Sequence, residues 1–113
     1  MTPVKRLAST KEISRVLKSR AKLHSNVLTL FFLKQPNLKE VRVVLIVSKK
    51  VSLKAVERNK IKRQLKAILN KMDLHDKAAD LAIIIKPEFM QNTFLENQKI
   101  LNKLVNKIFA GGS

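Results

Sequence analysis

Cysteine, tryptophan and tyrosine are all absent from this chain of 113 residues. Without cysteine the chain has no disulfide and no thiolate metal site, which fits a reducing compartment. The only two glycines, Gly111 and Gly112, lie at the end, so there is no glycine-rich phosphate loop. Residues 2–22 lack the apolar segment of a signal peptide, and no apolar run approaches the roughly 20 residues of a membrane-spanning helix. We therefore expect a cytoplasmic protein with no membrane partner.

Acidic residues are scarce, with 8 Asp and Glu against 24 Lys and Arg. They form no paired set that could hold two catalytic metal ions, which disfavours a metal-dependent nuclease acting alone. The two histidines, His24 and His75, are far apart and lack ligand-spaced partners, so we expect surface or loop residues and no metal site. No nucleophilic triad can be assembled either. The sequence predicts no catalytic residue, and in an enzyme a partner would supply the chemistry.

A net charge of +16 dominates what is present. Such self-repulsion opposes compaction and favours a polyanionic partner. Nucleic acid is the leading candidate because neutralising phosphates releases counterions, and an acidic membrane surface is the rival. The hydrophobic share of 45% is that of a folded protein, and the length fits one domain spanning residues 1–113.

Hydrophobic periodicity predicts the element order α-β-β-α-β-α. Ser9 and Glu12 form a capping box before a first helix at 10–19. Two apolar, β-branched segments predict strands at 27–33 and 41–47, and we expect an antiparallel hairpin across a turn at 35–37. The remaining predicted elements are a second helix from 52 or 53 to 72, a strand at 81–85, and a third helix ending near 109 that Thr93 and Glu96 cap.

The strand–helix–strand unit at 41–85 implies a parallel pair of strands. Helices covering one face of the sheet would give a two-layer α/β (α+β) sandwich around a mixed sheet of about four strands. Phe94 and Phe109 follow the apolar pattern of the third helix, so both are expected in the core.

The basic run that follows the strand at 41–47 is the most specific feature of the sequence. Glu57 is its only acidic residue between Lys49 and Lys66. Ordinary exposed helices mix charges of both signs to gain i,i+4 pairs, so this face predicts phosphate binding rather than a solvated surface. Arginine can bind phosphate with two parallel hydrogen bonds, and an asparagine amide both donates and accepts. The candidate binding residues are Lys49, Lys50, Lys54, Arg58, Asn59, Lys60, Lys62, Arg63 and Lys66.

Phe31 and Phe32 are neighbours on a predicted strand and therefore face opposite sides of the sheet. One should enter the core, and the other could stack on an unpaired base from an open face. The pattern alone leaves open which phenylalanine does which.

With these residues in place, the chain resembles the protein subunit of bacterial ribonuclease P. The resemblance covers nearly the whole length and rests on three blocks in a fixed order. The first is Lys5-Arg6-Leu7 with Glu12-Ile13 and Val16-Leu17, the second is the segment 42–50, and the third is the segment 55–63 with its Arg58-Asn59-Lys60 core. Lys60 stands where the family usually has a second arginine, which keeps the charge and loses the planar fork.

The resemblance implies an accessory subunit that binds a catalytic RNA and the 5′ leader of precursor tRNA and assists leader removal. It implies that Mg²⁺ is held mainly by the RNA, that no further protein partner is required, and that the strand–helix–strand crossover is left-handed. By the same resemblance the basic run binds the catalytic RNA, and Ile13, Leu17 and Phe31 fall in a leader-binding cleft. The alternative is a small basic ribosomal-type RNA-binding protein with no role in cleavage.

Overall fold

Five strands form a single mixed sheet in the computed structural model, which describes residues 4–34, 40–74 and 77–110. The predicted turn at 35–37, His75 and the glycines of the tail lie outside these ranges. The strands are β1 (Lys5–Arg6), β2 (Lys22–His24), β3 (Leu28–Lys34), β4 (Val41–Ile46) and β5 (Ala79–Ile85). The helices are α1 (Thr10–Lys18), α2 (Ala55–Lys71) and α3 (Phe94–Ala110), with a 3-10 helix at Pro87–Gln91. The predicted α+β class and the order of the longer elements are confirmed.

The sheet order is β1-β4-β5-β3-β2, which places β5 at the centre. The β4–α2–β5 unit forms the predicted parallel pair, whereas β3 runs antiparallel to β5. The predicted β3–β4 hairpin is therefore wrong, because β5 lies between the two strands. β5 is buried along almost its whole length, and a strand that is apolar on both faces is most stable in the interior of a sheet.

Two short edge strands account for the difference between five strands and the predicted count of about four. β1 has two residues and pairs in parallel with Arg42 and Val43, while β2 has three residues and pairs antiparallel with β3. Segments of this length are too short to show an alternating pattern in the sequence.

The main core lies between one face of the sheet and the helices α2 and α3. The predicted stripe of α2 is confirmed, because Ile61, Leu65, Ile68 and Leu69 are all buried. Phe109 packs against this core as expected, but Phe94 is 40% exposed, so its core assignment is wrong. Phe94 is the first residue of α3, where one side of the helix has no preceding turn to pack against.

Helix α1 packs against the opposite face of the sheet. The prediction that all the helices cover one face is therefore wrong. A smaller cluster of Leu7, Val16 and Ala82 forms there, and Phe31 and Val44 pack around it. Alternate residues of β4 and β5 therefore serve two different helical layers. Continuously apolar strands are consistent with this arrangement, since both faces of the sheet carry a helix.

The capping boxes behave differently in the two helices. At α3 both bonds form: the Thr93 N–H donates to Glu96 Oε1 at 2.8 Å, and the Glu96 N–H donates to Thr93 Oγ1 at 3.1 Å. The bond from the Thr93 N–H and the Thr93 side chain lower the pKa of Glu96, so the stabilising effect of this carboxylate is present above its unfolded pKa and is lost as the pH falls through its folded pKa. At α1 only the bond from the Glu12 N–H to Ser9 Oγ forms, at 3.4 Å.

The side chain of Glu12 binds Arg42 of β4 instead of closing the α1 box. Arg42 also donates from Nε and Nη2 to the two carboxylate oxygens of Asp80, each at 2.7 Å. Asp80 is only 1% exposed and lies beside Arg42 in the register of β4 and β5. The bond to Asp80 raises the pKa of Arg42 above its ordinary value. One guanidinium thus joins the first turn of α1 to the centre of the sheet.

Replacing Asp80 with alanine should lower the free energy of unfolding by about 3 kcal/mol, because the guanidinium loses its buried partner. The matched variant Glu12→Gln changes a pair that water reaches and should cost less than about 1 kcal/mol. Urea unfolding followed by circular dichroism measures both. Equal losses for the two variants would contradict the central role of the buried pair.

Candidate nucleic-acid interface

The basic face of α2 and the loop before it point into solvent. Lys49, Lys50 and Lys54 are exposed in the loop. On α2 the exposed candidate residues are Asn59, Lys60, Lys62, Arg63 and Lys66, while Arg58 is half-buried. Burial of the apolar stripe on the other side of the helix fixes this orientation. The structure therefore brings together all nine residues of the predicted basic set on one loop–helix segment.

Hydrogen bonds around Ser52 hold the loop in place. Arg58 Nη1 donates to the Ser52 carbonyl at 2.9 Å, and the Lys54 N–H donates to Ser52 Oγ at 3.2 Å. The Ser52 hydroxyl donates in turn to the carboxylate of Glu57. Arg58 thus also has a structural contact that sequence reasoning did not anticipate, and Arg63 is the cleaner residue for a test of phosphate binding.

The positive charge of this face is not neutralised within the described part of the chain. None of the exposed Lys and Arg side chains of the basic set forms an ion pair there, and the nearby carboxylate of Glu57 binds Ser52. Lys54, at the N-cap of α2, makes no side-chain capping bond. The partial positive charge of the helix N-terminus adds to the cations beside it. The arrangement suits a polyanion.

The second predicted surface lies between α1 and the sheet. Ile13, Leu17 and Phe31 are half-buried and belong to the same apolar cluster. Phe32 packs against the main core on the other face. This settles the alternative left open by the sequence: Phe31 is the phenylalanine on the α1 side. Lys22 Nζ lies 5.7 Å from the centre of its ring, so a cation and an aromatic ring lie together at the edge of the sheet.

The sheet extends beyond α1 as a half-exposed apolar surface that sequence reasoning missed. Ile46 and Ile84 are paired in the register of β4 and β5, next to the row that contains Phe31, and neither belongs to a core cluster. Lys22 was missed too, because β2 is too short to be recognised. The alternation of β4 places Ile46 on the same face as Val44, but the sheet order was needed to place Ile84 beside it.

The two surfaces meet where β4 ends. Ile46 is the last residue of β4, and Lys49 follows it three residues later in the loop before α2. One end of the sheet therefore carries both an apolar face with a phenylalanine and the start of the basic segment. Such a combination can contact the bases and the phosphates of a single-stranded nucleic acid.

The family model for ribonuclease P matches residues 1–109 of this chain. The chain belongs to the ribonuclease P protein family. This family supplies the protein component of a tRNA-processing ribonucleoprotein. The ribonuclease P protein component of Ureaplasma parvum is 34% identical over 105 residues, which cover 89% of this chain and 92% of the relative. That of Mycoplasma pneumoniae is 34% identical over 103 residues, covering 90% and 86%.

Solved structures of the family share the fold. The ribonuclease P protein of Staphylococcus aureus superposes with a TM-score of 0.81 at 23% identity, covering 91% of this chain and 94% of that one. The Thermotoga maritima protein superposes with a TM-score of 0.75 at 26% identity, covering 88% and 96%. The family assignment confirms the resemblance found in the motifs.

The described residues hold neither a membrane-spanning helix nor a cluster of metal ligands. Within those ranges no helix is both long and apolar enough to cross a membrane. No three His, Cys, Asp or Glu side chains come together there as potential metal ligands. Glu12 and Asp80 are brought together because both bind Arg42. The positive charge of Arg42 opposes the binding of a metal cation between the two carboxylates. These residues do not fit a magnesium site.

Proposed function

We propose that this protein is the accessory subunit that binds the catalytic RNA of ribonuclease P and the 5′ leader of precursor tRNA. Family membership supports the partnership with ribonuclease P RNA. The observation that carries the proposal is the exposed basic face formed by α2 and its preceding loop, which no carboxylate among the described residues neutralises. The chemistry of cleavage belongs to the RNA, which holds the Mg²⁺ ions. The protein acts in the cytoplasm and needs no further protein partner.

The basic face of α2 contacts the catalytic RNA. Arg63 can bind a phosphate through two hydrogen bonds, whereas Lys60 and Lys62 contribute point charges. Asn59 is exposed between them and can hydrogen-bond a base edge or a ribose hydroxyl. Because the loop 48–54 is held by Ser52 and Arg58, its cations are positioned before the RNA binds. Such preorganisation lowers the entropy cost of binding.

The leader lies in the cleft beside α1. Phe31 offers the one aromatic ring of the predicted cleft set, with Lys22 next to it for a phosphate. Ile13 and Leu17 contribute apolar contacts but no π-face. Ile46 and Ile84 extend the apolar floor toward the basic loop. A single strand following this path would pass from the cleft to the start of α2, next to the catalytic RNA.

The protein assists cleavage electrostatically. Two RNAs repel each other, and a subunit of net charge +16 placed between them offsets part of that repulsion. Less Mg²⁺ should then be needed to hold the complex together. The protein also fixes the leader relative to the cleavage site, which contributes through positioning rather than through acid–base chemistry.

The affinity for ribonuclease P RNA should fall steeply with salt. If about six phosphates are neutralised, a plot of log K against log salt should have a slope on the order of −4 to −5. Arg63→Gln should make the slope shallower by a little under one unit and leave the melting temperature unchanged. Filter binding from about 0.05 to 0.3 M salt measures this.

Lys107→Gln is the matched control, because Lys107 is exposed on α3 and the variant removes the same charge. It should keep the slope of the wild type. A flat salt dependence of the wild type, or equal effects of the two substitutions, would count against the proposed contact.

Phe31→Leu should weaken the binding of precursor tRNA more than that of mature tRNA. Leucine keeps much of the apolar volume but cannot stack on a base, and stacking contributes roughly 1–3 kcal/mol. We therefore expect the preference of the holoenzyme for precursor over mature tRNA to fall about tenfold, with unchanged affinity for the catalytic RNA. Equilibrium binding with leaders of increasing length measures this preference.

Phe109→Leu is the control for that experiment. Phe109 is also half-buried and also has a lysine over its ring, with Lys77 Nζ at 5.9 Å, but it packs against the main core. It should preserve the precursor preference. If both substitutions lower the preference equally, the cleft assignment is wrong.

A general ribosomal-type RNA-binding role was the alternative left by composition and charge. Family membership along residues 1–109 favours the ribonuclease P assignment over it. Tight binding of the purified protein to ribosomal RNA, with no preference for ribonuclease P RNA, would revive the alternative.

A further inference from the structure

A groove of about 290 Å³ lies at the β1 edge of the sheet, where β1, β4 and α2 meet. Four cationic residues line it: Lys5 and Arg6 from β1, and Lys62 and Lys66 from α2. No acidic residue contributes to the lining. All four are exposed, so their charged ends can move to a ligand. The fold has thus brought two basic segments together that are more than fifty residues apart in the sequence.

Two hydrogen bonds fix the segment that carries Lys5 and Arg6. The Val4 N–H donates to Asn70 Oδ1 of α2 at 2.9 Å, and the Leu7 N–H donates to the Val43 carbonyl at 2.8 Å. The side chains of Val4 and Leu7 are 7% and 1% exposed. Lys5 and Arg6 therefore lie between two anchored residues, and little backbone order has to be gained on binding.

The backbone of β4 adds donors to the groove. β1 pairs only with Arg42 and Val43, so within the described residues the outer edge of β4 has no neighbouring strand from Val44 to Ile46. Alternate residues of a strand direct their peptide groups toward the same edge. Since the carbonyl of Val43 faces β1, the N–H of Leu45 points to this open edge beside the cations. Backbone N–H groups are common ligands of phosphate oxygens.

We propose that this groove binds the phosphodiester backbone of one strand of the catalytic RNA. The proposal rests on the proposed function and adds β1 to the RNA-binding surface. Lys62 and Lys66 connect the two surfaces, because on the helical wheel they lie about 40° and 80° from Arg58, between it and Arg63. An RNA strand bound by the basic face of α2 can therefore continue into the groove. Arg6 lies on the α2 side of the sheet with its partner Val43 and contacts the phosphates from the other wall, while Lys5 points to the opposite side and contacts them from the sheet edge.

The double variant Lys5→Gln/Arg6→Gln tests the groove. We expect about a tenfold loss of affinity for ribonuclease P RNA near 0.15 M salt, and a salt slope shallower by roughly 1.5 to 2 units. The matched control is Lys103→Gln/Lys107→Gln, which removes the same charge from exposed positions on α3. It should leave the slope unchanged. Equal losses of affinity for the two double variants would mean that only the net charge of the protein matters, and would overturn the proposal.

Combining Lys5→Gln/Arg6→Gln with Lys62→Gln/Lys66→Gln tests whether one strand contacts both walls. If it does, losing either wall releases the strand, and the fourfold variant should lose clearly less affinity than the product of the two separate losses. Losses that multiply fully would mean two independent sites and would overturn the shared groove.

Binding of the wild-type protein distinguishes a failure of the proposed function from a failure of the groove alone. Absence of binding between the wild-type protein and ribonuclease P RNA would overturn both the proposed function and the groove. Wild-type binding that is insensitive to Lys5→Gln/Arg6→Gln would leave the proposed function standing and overturn the groove alone.

Discussion

Burial of one apolar stripe of α2 against the sheet is the interaction on which the other features depend. Ile61, Leu65, Ile68 and Leu69 occupy one side of the helix and are essentially inaccessible to solvent. Once that side is fixed, the helical repeat dictates where every other side chain points. The cations from Lys60 to Lys66 therefore face water as a set. Their mutual repulsion is opposed by the apolar contacts beneath them, since no carboxylate of the described chain pairs with them.

Helix α1 is held on the other face of the sheet by a different combination of contacts. The apolar cluster under α1 is small, with Leu7, Val16 and Ala82 as its buried members. Arg42 supplements it by joining Glu12 of α1 to the buried Asp80 of β5. Removing one partner of such a pair leaves a charge without its buried counter-ion, so the geometry at this link is maintained. A small cluster and one charged link leave part of the sheet uncovered. Ile46 and Ile84 lie in that part, and the half-buried Phe31 of the α1 cluster lies in the row beside them.

Sequence reasoning succeeded where a pattern is local. The cap of α3 and the apolar stripe of α2 depend on spacing within one segment, and the structure confirms them. The long strands were also found, although β5 begins at Ala79, two residues before its predicted start. The basic set was also predictable, because a one-sided run of charge is visible without knowledge of the fold. For the same reason the motifs sufficed to indicate the family.

Contacts between segments that are distant in the sequence could not be predicted from spacing within one segment. The hairpin of β3 and β4 was wrong because alternation says which face a residue occupies but not which strand lies beside it. The layer of α1, the cleft floor at Ile84 and the groove formed by Lys5 with Lys62 all depend on that sheet order. The sequence predicted Arg58 as a phosphate ligand but not its hydrogen bond to the Ser52 carbonyl, because that contact depends on the path of the loop.

The most direct test of the account is single-turnover cleavage of a precursor tRNA by a bacterial ribonuclease P RNA at low Mg²⁺, with and without this protein. The account predicts cleavage at the mature 5′ end that depends on the protein at low Mg²⁺ and becomes less dependent as Mg²⁺ is raised. Cleavage that is unaffected by the protein at every Mg²⁺ concentration would contradict it.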